Sequence, residues 1–263
     1  MRVSGPASGL LIFLLASGIA TLAQETRIGK LTGNVDRGKA LYKRYCIFCH
    51  GKYGDGQGEN APHLDPKPRD FTRASYKCRS TPSGSLPLDV DLYDTITRGV
   101  HASAMPSWNP LTRQERVDLV AYIKTFSVRF KEEPPAAALQ IPPEPPSSAE
   151  SVARGAELFS SMNCWQCHGK EGRGNGPSAL TLTDSKGYPI TPFDLSGGTK
   201  FKCGETDSEM FRDLMTGLDG TPMPSFADAL KPDQAWDLVH YIHTLHETDK
   251  NHPNPAKAET KAE

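Results

Sequence analysis

An all-α fold in two tandem domains is what this 263-residue chain predicts, and three observations predict it. The segment CIFCHGKYGDGQG at residues 46–58 returns as CWQCHGKEGRGNG at residues 164–176. Each copy is preceded by a run with apolar residues at helical spacing and followed, after a long loop, by another. Between the copies, residues 131–150 (KEEPPAAALQIPPEPPSSAE) carry six prolines. Proline fixes φ and lacks an amide donor, so this stretch is expected to be an extended linker of about 3 Å per residue. The domains are expected over 30–130 and 151–246, each long enough to bury a core. No convincing alternating strand appears in either half.

The elements follow in chain order. Residues 1–23 have one Arg, then an apolar stretch from about Gly9 to Ala23 ending in small residues. That is the layout of a secretory signal peptide. The competing reading, a membrane anchor, is disfavoured because the stretch falls short of the ~20 residues a span needs. Asn34 or Asp36 can cap a helix running to about Tyr45, and its echo is expected near Ser151 to Met162. Gly38 and Gly155 mark where another helix can cross closely. Thr112 and Glu115 form a capping-box pattern before a helix through Val117, Leu119, Val120, Tyr122, Ile123 and Phe126. Pro232 opens the matching helix through Trp236, Leu238, Val239, Tyr241, Ile242 and Leu245. From residue 247 to 263 the chain is polar and charged, and disorder is expected there.

Net charge is −1, which argues against a nucleic-acid surface. The distribution says more. Residues 24–130 hold 17 Lys+Arg against 11 Asp+Glu (+6), and residues 151–246 hold 8 against 12 (−4). The halves carry opposite charge, so the first is expected to dock an acidic partner and the second a basic one.

Cys46, Cys49 and His50, and again Cys164, Cys167 and His168, match the pattern of covalent haem c attachment. One helical turn puts two sulfurs on one edge of a porphyrin, where they form thioethers, and brings the next imidazole to the iron. A redox or zinc Cys-x-x-Cys needs no histidine directly afterwards. Two haem c groups are therefore expected, with His50 and His168 as axial ligands.

Haem iron takes a sixth ligand from the other face. Ala104-Met105-Pro106-Ser107 and Pro222-Met223-Pro224-Ser225 answer each other, both methionines lying 55 residues after their histidine. A methionine in a core is the plain alternative. A proline-flanked methionine at matched distances favours ligation instead. His101 competes weakly with Met105, and an exposed loop position is the better reading for it. His240, His243 and His246 are expected on a solvated face. The glycines after each histidine are expected to bend the chain against the porphyrin edge. A carbonyl near Pro177 is a candidate acceptor for the second imidazole.

On these residues each half resembles a class I cytochrome c domain: an N-terminal helix ending in CxxCH, a Met-Pro loop, and a C-terminal helix with an inward Tyr. The whole is similar to two-domain bacterial dihaem cytochromes c over about residues 34–246. The resemblance implies a periplasmic carrier that relays single electrons between a donor and an acceptor redox protein. It also implies possible service as the cytochrome subunit of a larger membrane or periplasmic oxidoreductase. An enzyme of thiosulfate-dehydrogenase or dihaem-peroxidase type is the alternative. Cys78 and Cys203 depart from the family pattern. Three states stay open for them: an interdomain disulfide, two buried thiols, or a thiolate on iron.

Overall fold

The computed structural model describes residues 1, 25–134, 136–197 and 200–251. From residue 2 onward the expected signal peptide lies outside them, as does the tail beyond residue 251. Among the described residues the one named sheet is a two-stranded hairpin, Arg27–Ile28 (β1) antiparallel to Leu31–Thr32 (β2). The sequence pattern did not foretell this hairpin; it lays Ile28 and Leu31 on the first core.

Helix α1 (Val35–Tyr45) starts at Asn34, whose side chain accepts the Arg37 N–H at 2.9 Å. A single turn, α2 (Ile47–His50), follows directly, then α3 (Asp89–Arg98) and α4 (Arg113–Lys124). Thr112 and Glu115 cap α4 reciprocally, at 2.8 and 3.2 Å. The short α5 (Arg129–Glu132) leads into an extended stretch in which no helix or strand is assigned from 136 to 148. Helix α6 (Ala149–Ser161) begins two residues earlier than expected because Ser148, not Ser151, is its cap. It is followed by α7 (Cys164–His168), α8 (Asp207–Thr216) and α9 (Pro232–Asn251). The last helix thus runs five residues past His246, into the segment expected to be disordered.

The first helix of each half crosses the last. A Cβ on Gly38 would fall on the Asp118 carbonyl, and one on Gly155 on the Asp237 carbonyl, so only glycine permits the approach. Beside each crossing an exposed arginine reaches a buried aspartate: Arg37 Nε to Asp118 at 2.6 Å, Arg154 Nη2 to Asp237 at 2.7 Å. Tyr42 meets Tyr122 edge-on at 5.2 Å, and Phe159 meets Tyr241 at 5.4 Å. Two separate cores result, one around Tyr42, Leu92, Val117 and Ile123, the other around Phe159, Phe211, Trp236 and Val239. Each such side chain contributes roughly 1.5–3 kcal/mol by leaving water.

The halves are locked to one another. Cys78 and Cys203 form a disulfide (S–S 2.05 Å) across a sequence separation of 125 residues. This rules out for them both free thiols and thiolate ligation. Next to it Arg79, with no exposed surface, donates to the Thr216 carbonyl at 2.6 Å and pairs with Asp219 at 2.8 Å. Arg98 pairs with Glu209 at 2.8 Å, His101 lies 3.2 Å from Glu205, and Lys186 pairs with Asp70 at 2.8 Å. The opposite charges of the halves therefore serve, in part, to hold the halves together, which revises the expectation that they are kept for outside partners.

The linker is strapped down as well. Leu139 N–H donates to the Ser80 carbonyl at 2.7 Å. His240 is buried, not solvated as expected: Nδ1 meets Ser151 Oγ at 2.9 Å and Nε2 lies 3.3 Å from Glu144. His243 Nε2 lies 2.6 Å from Asp207, and the His246 side chain is outside the described residues.

Candidate functional site

Helix α1 runs straight into the first CxxCH turn, the Cys46 N–H closing on the Tyr42 carbonyl at 2.9 Å and the His50 N–H on Cys46 at 2.9 Å. In the second half Asn163, in the left-handed region at φ 59°, joins α6 to α7, a conformation that asparagine tolerates better than most residues. Cys46, Cys49 and His50 line one cavity, and Met105 stands in the wall of the same cavity. Cys164, Cys167, His168 and Met223 share a second cavity in the same way. Burial pushes the Cys46 thiol up to about 12 and Cys164 up to about 11, the reverse of a thiol-exchange nucleophile. Among the described residues no cluster of three or more His, Cys, Asp or Glu is placed to hold a metal ion, so a zinc site finds no support.

Each histidine is oriented by a backbone carbonyl. His50 Nδ1 lies 3.0 Å from the Arg69 oxygen and His168 Nδ1 3.0 Å from the Phe193 oxygen. A carbonyl only accepts, so the proton sits on Nδ1 and Nε2 keeps its lone pair for a metal. Burial lowers His50 to about 4 and lowers His168 as well, so both rings are neutral at pH 7. Phe71 stacks on the His50 ring at 4.4 Å. The acceptor is thus Phe193 and not a residue near Pro177. A signal for it was present: PRDF at 68–71 and PFDL at 192–195 are another internal repeat. Its aspartates brace the loop, Asp70 accepting the Thr72 N–H at 3.0 Å and Asp194 the Ser196 N–H at 2.9 Å.

The glycines after each CxxCH hold this arrangement. Gly56 and Gly174 donate to the His50 and His168 carbonyls at 3.0 and 2.8 Å. With φ of +75° and +71°, each lies so close that a Cβ would sit 2.6 Å from the Pro68 or Pro192 oxygen. They fold the segment onto the Pro-x-Asp loop.

Helices α3 and α8, which the sequence pattern did not foretell, lead into the loops that hold Met105 and Met223. Each has ten residues and ends at a left-handed glycine, Gly99 or Gly217. The next N–H, of Val100 or Leu218, closes on the Met105 or Met223 carbonyl at 3.1 Å in both halves. The equal 55-residue spacing now has a cause. Cys46 to Cys78 spans 32 residues and Cys164 to Cys203 spans 39, but the stretch from the bridged cysteine to the helix is 11 in one half and 4 in the other. His101 is not in the wall of the first cavity.

Both cavities suit a haem. Their walls are largely apolar apart from the ligand set, a few cations and, in the second, the Asp213 carboxylate. Lys77 lines the first cavity and Lys202 the second, at matching places beside the disulfide, and burial lowers Lys77 to about 7. Neither they nor Arg69 has a hydrogen-bonded or ion-paired side-chain partner among the described residues. The Tyr76 hydroxyl in the first wall is buried without a partner. An anionic edge, such as the carboxylates of a haem, would answer these groups.

The family described as Cytochrome c matches residues 152–246, and the one described as Cytochrome C oxidase, cbb3-type, subunit III matches residues 33–123. A chain of the Kuenenia stuttgartiensis reducing HAO-like protein complex Kustc0457/Kustc0458 superposes with a TM-score of 0.78 at 43% identity, over 80% of this chain and 96% of that one. The chain belongs to the two-domain dihaem cytochromes c. It is an electron-transfer cytochrome with two covalently bound haem c groups. Two curated relatives are cbb3-type cytochrome c oxidase subunits: FixP of Azorhizobium caulinodans, 26% identical over 79% of this chain, and CcoP of Helicobacter pylori, 23% over 75%. This dihaem cytochrome spans 58% and 59% of their lengths.

Proposed function

We propose that this cytochrome is exported to the periplasm by residues 1–23 and relays single electrons between a donor and an acceptor protein. Its domains are 30–130 and 151–246, with 131–150 as the linker. Cys46/Cys49 and Cys164/Cys167 carry the thioethers, and the axial pairs are His50 with Met105 and His168 with Met223. The observation that carries this reading is the duplicated cavity, with a neutral imidazole tied at Nδ1 to a backbone carbonyl and a methionine in the same wall. Bound haem supplies a one-electron iron couple, and two protein ligands leave no open position for a substrate. Tying Nδ1 fixes the ring that faces the iron and strengthens it as a ligand. The Met-Pro loops, tied to the ends of α3 and α8 by the Val100 and Leu218 N–H groups, would hold the second ligand in place.

The relatives' membership of a cbb3 oxidase and of a reducing HAO-like complex supports an oxidoreductase as the partner. Among the described residues no helix is long and apolar enough to cross a membrane. The thiosulfate-dehydrogenase-like alternative needs Cys78 as a thiolate, and Cys78 is bonded to Cys203.

The test is mass spectrometry, redox titration and near-infrared spectroscopy of the exported protein. Two added haem masses, two one-electron steps and Met–iron bands from both haems are expected. A five-coordinate, high-spin haem with peroxide turnover overturns the carrier reading.

A further inference from the structure

The two cavities share their ligands but not their charge. The walls can be compared position by position through the PRDF/PFDL repeat, the bridged cysteines and the α3/α8 pair. Lys67 of the first cavity stands where the second has Thr191, Arg69 where it has Phe193, Tyr76 where it has Phe201, and Thr95 where it has Asp213. Lys77 and Lys202 match. The first wall holds three cations and no carboxylate; the second holds one cation and one carboxylate. Arg69 and Lys77 form no direct ion pair, the carboxylates that act on them (Asp70, Asp184 and Asp219 on Arg69, Asp184 and Asp65 on Lys77) lying outside the wall, and Lys67 is hydrogen-bonded to the Ala61 and Pro62 carbonyls at 3.2 and 3.0 Å. Asp213 is paired with Arg212 at 2.9 Å, but Arg212 is not in the wall, so the carboxylate presents the negative end of that pair to the cavity.

Reducing a haem adds one negative charge inside a poorly screened cavity. Cations in the wall stabilise the reduced form and a carboxylate stabilises the oxidised form. A free hydroxyl such as Tyr76 favours the added charge as well. Each of these four differences acts in the same direction.

Building on the relay reading, we infer that the haem of the first half has the higher potential. With haem bound in both cavities, an electron from a donor protein would enter at the second half, held by Cys164, Cys167 and His168, and leave to an acceptor from the first half. One electron is lost and one gained at each step, with no proton required. Arg69, Lys67 and Asp213 are positioning charges in this account, acting on the iron through space.

The test is a spectroelectrochemical titration of the loaded protein and its variants, with haem content and Met–iron bands measured on each. Arg69→Met keeps the backbone carbonyl that binds His50. It is expected to lower the upper step and leave the lower in place. Asp213→Asn is expected to raise the lower step only. Lys67→Met, on the same wall, repeats the first result should Arg69→Met fail to load haem. The inference is overturned if the first-wall variants move the lower step, if both steps shift equally, or if no variant shifts either. Absence of haem or of Met–iron bands in the unmodified protein would instead sink the carrier reading itself.

Discussion

The two halves repeat a scaffold and diverge in the groups that face the cavity. Glycine at the helix crossing, an arginine–aspartate pair beside it, a carbonyl behind each histidine and a ten-residue helix before each methionine occur twice with distances that agree within a few tenths of an ångström. Arg69 and Phe193, like Thr95 and Asp213, lend the same backbone carbonyl to these supports and differ only in their side chains. Backbone geometry tolerates little variation because each buried donor and acceptor must find its partner. Wall charge is free to vary because it acts over several ångströms without requiring a contact.

The largest effect expected from breaking the symmetry is loss of a ligand in one half. Met105→Ala should remove one Met–iron band and leave the other, and Met223→Ala should do the converse; a spectrum unchanged in both bands would return these residues to the role of core methionines. Next comes the joint. Cys78→Ser with Cys203→Ser frees a loop of 125 residues, which should cost about 2–5 kcal/mol in denaturant unfolding. It should also split the single transition into two if the disulfide is what couples the halves; one unshifted transition would show the ion pairs suffice.

The helix crossings offer a matched pair. Gly38→Ala and Gly155→Ala both drive a Cβ into a carbonyl, and each should lower stability by about 1–3 kcal/mol. Unequal losses above that range, read by calorimetry, would mean that one half is the softer.

The smallest effect is on pH dependence. Burial raises Asp213 to about 6, against the opposing pull of Arg212 and Arg98 and with the help of Glu209. Protonated below that pH and ionised above it, the carboxylate favours the oxidised second haem only at the higher pH. The second haem's potential should therefore fall as pH rises through about 6, while the first, with Thr95 at that place, lacks that step and falls nearer 7, where Lys77 loses its proton. A titration at several pH values in which both haems move together would remove Asp213 as the cause.

Much of the site was legible in one dimension because its parts are local. A CxxCH turn, an Asn or Thr cap and a proline at the start of a helix act within four residues, and Asn34, Thr112 and Pro232 stand where their patterns put them. Thr206 and Glu209 form an equally readable box at the start of α8, with Glu209 N–H to Thr206 Oγ1 at 3.3 Å, and went unread. Helix α3 is harder to see. Its sequence, DVDLYDTITR, mixes β-branched residues with aspartates, and its start is closed by the Asp91 side chain accepting the Leu88 N–H at 2.8 Å rather than by a cap residue.

The chain by itself determined where the two CxxCH turns stand, that there are two haem c groups, and how far each methionine lies from its histidine, because such motifs and helix caps are written in short spacings. Tertiary structure alone decided which carbonyl steadies each imidazole, 19 or 25 residues away. It alone decided that Cys78 meets Cys203, that His240 is buried, and that part of the charge contrast is turned inward across the joint. Those outcomes depend on which surfaces meet after folding. A pairing between groups a hundred residues apart leaves no mark on the spacing of either.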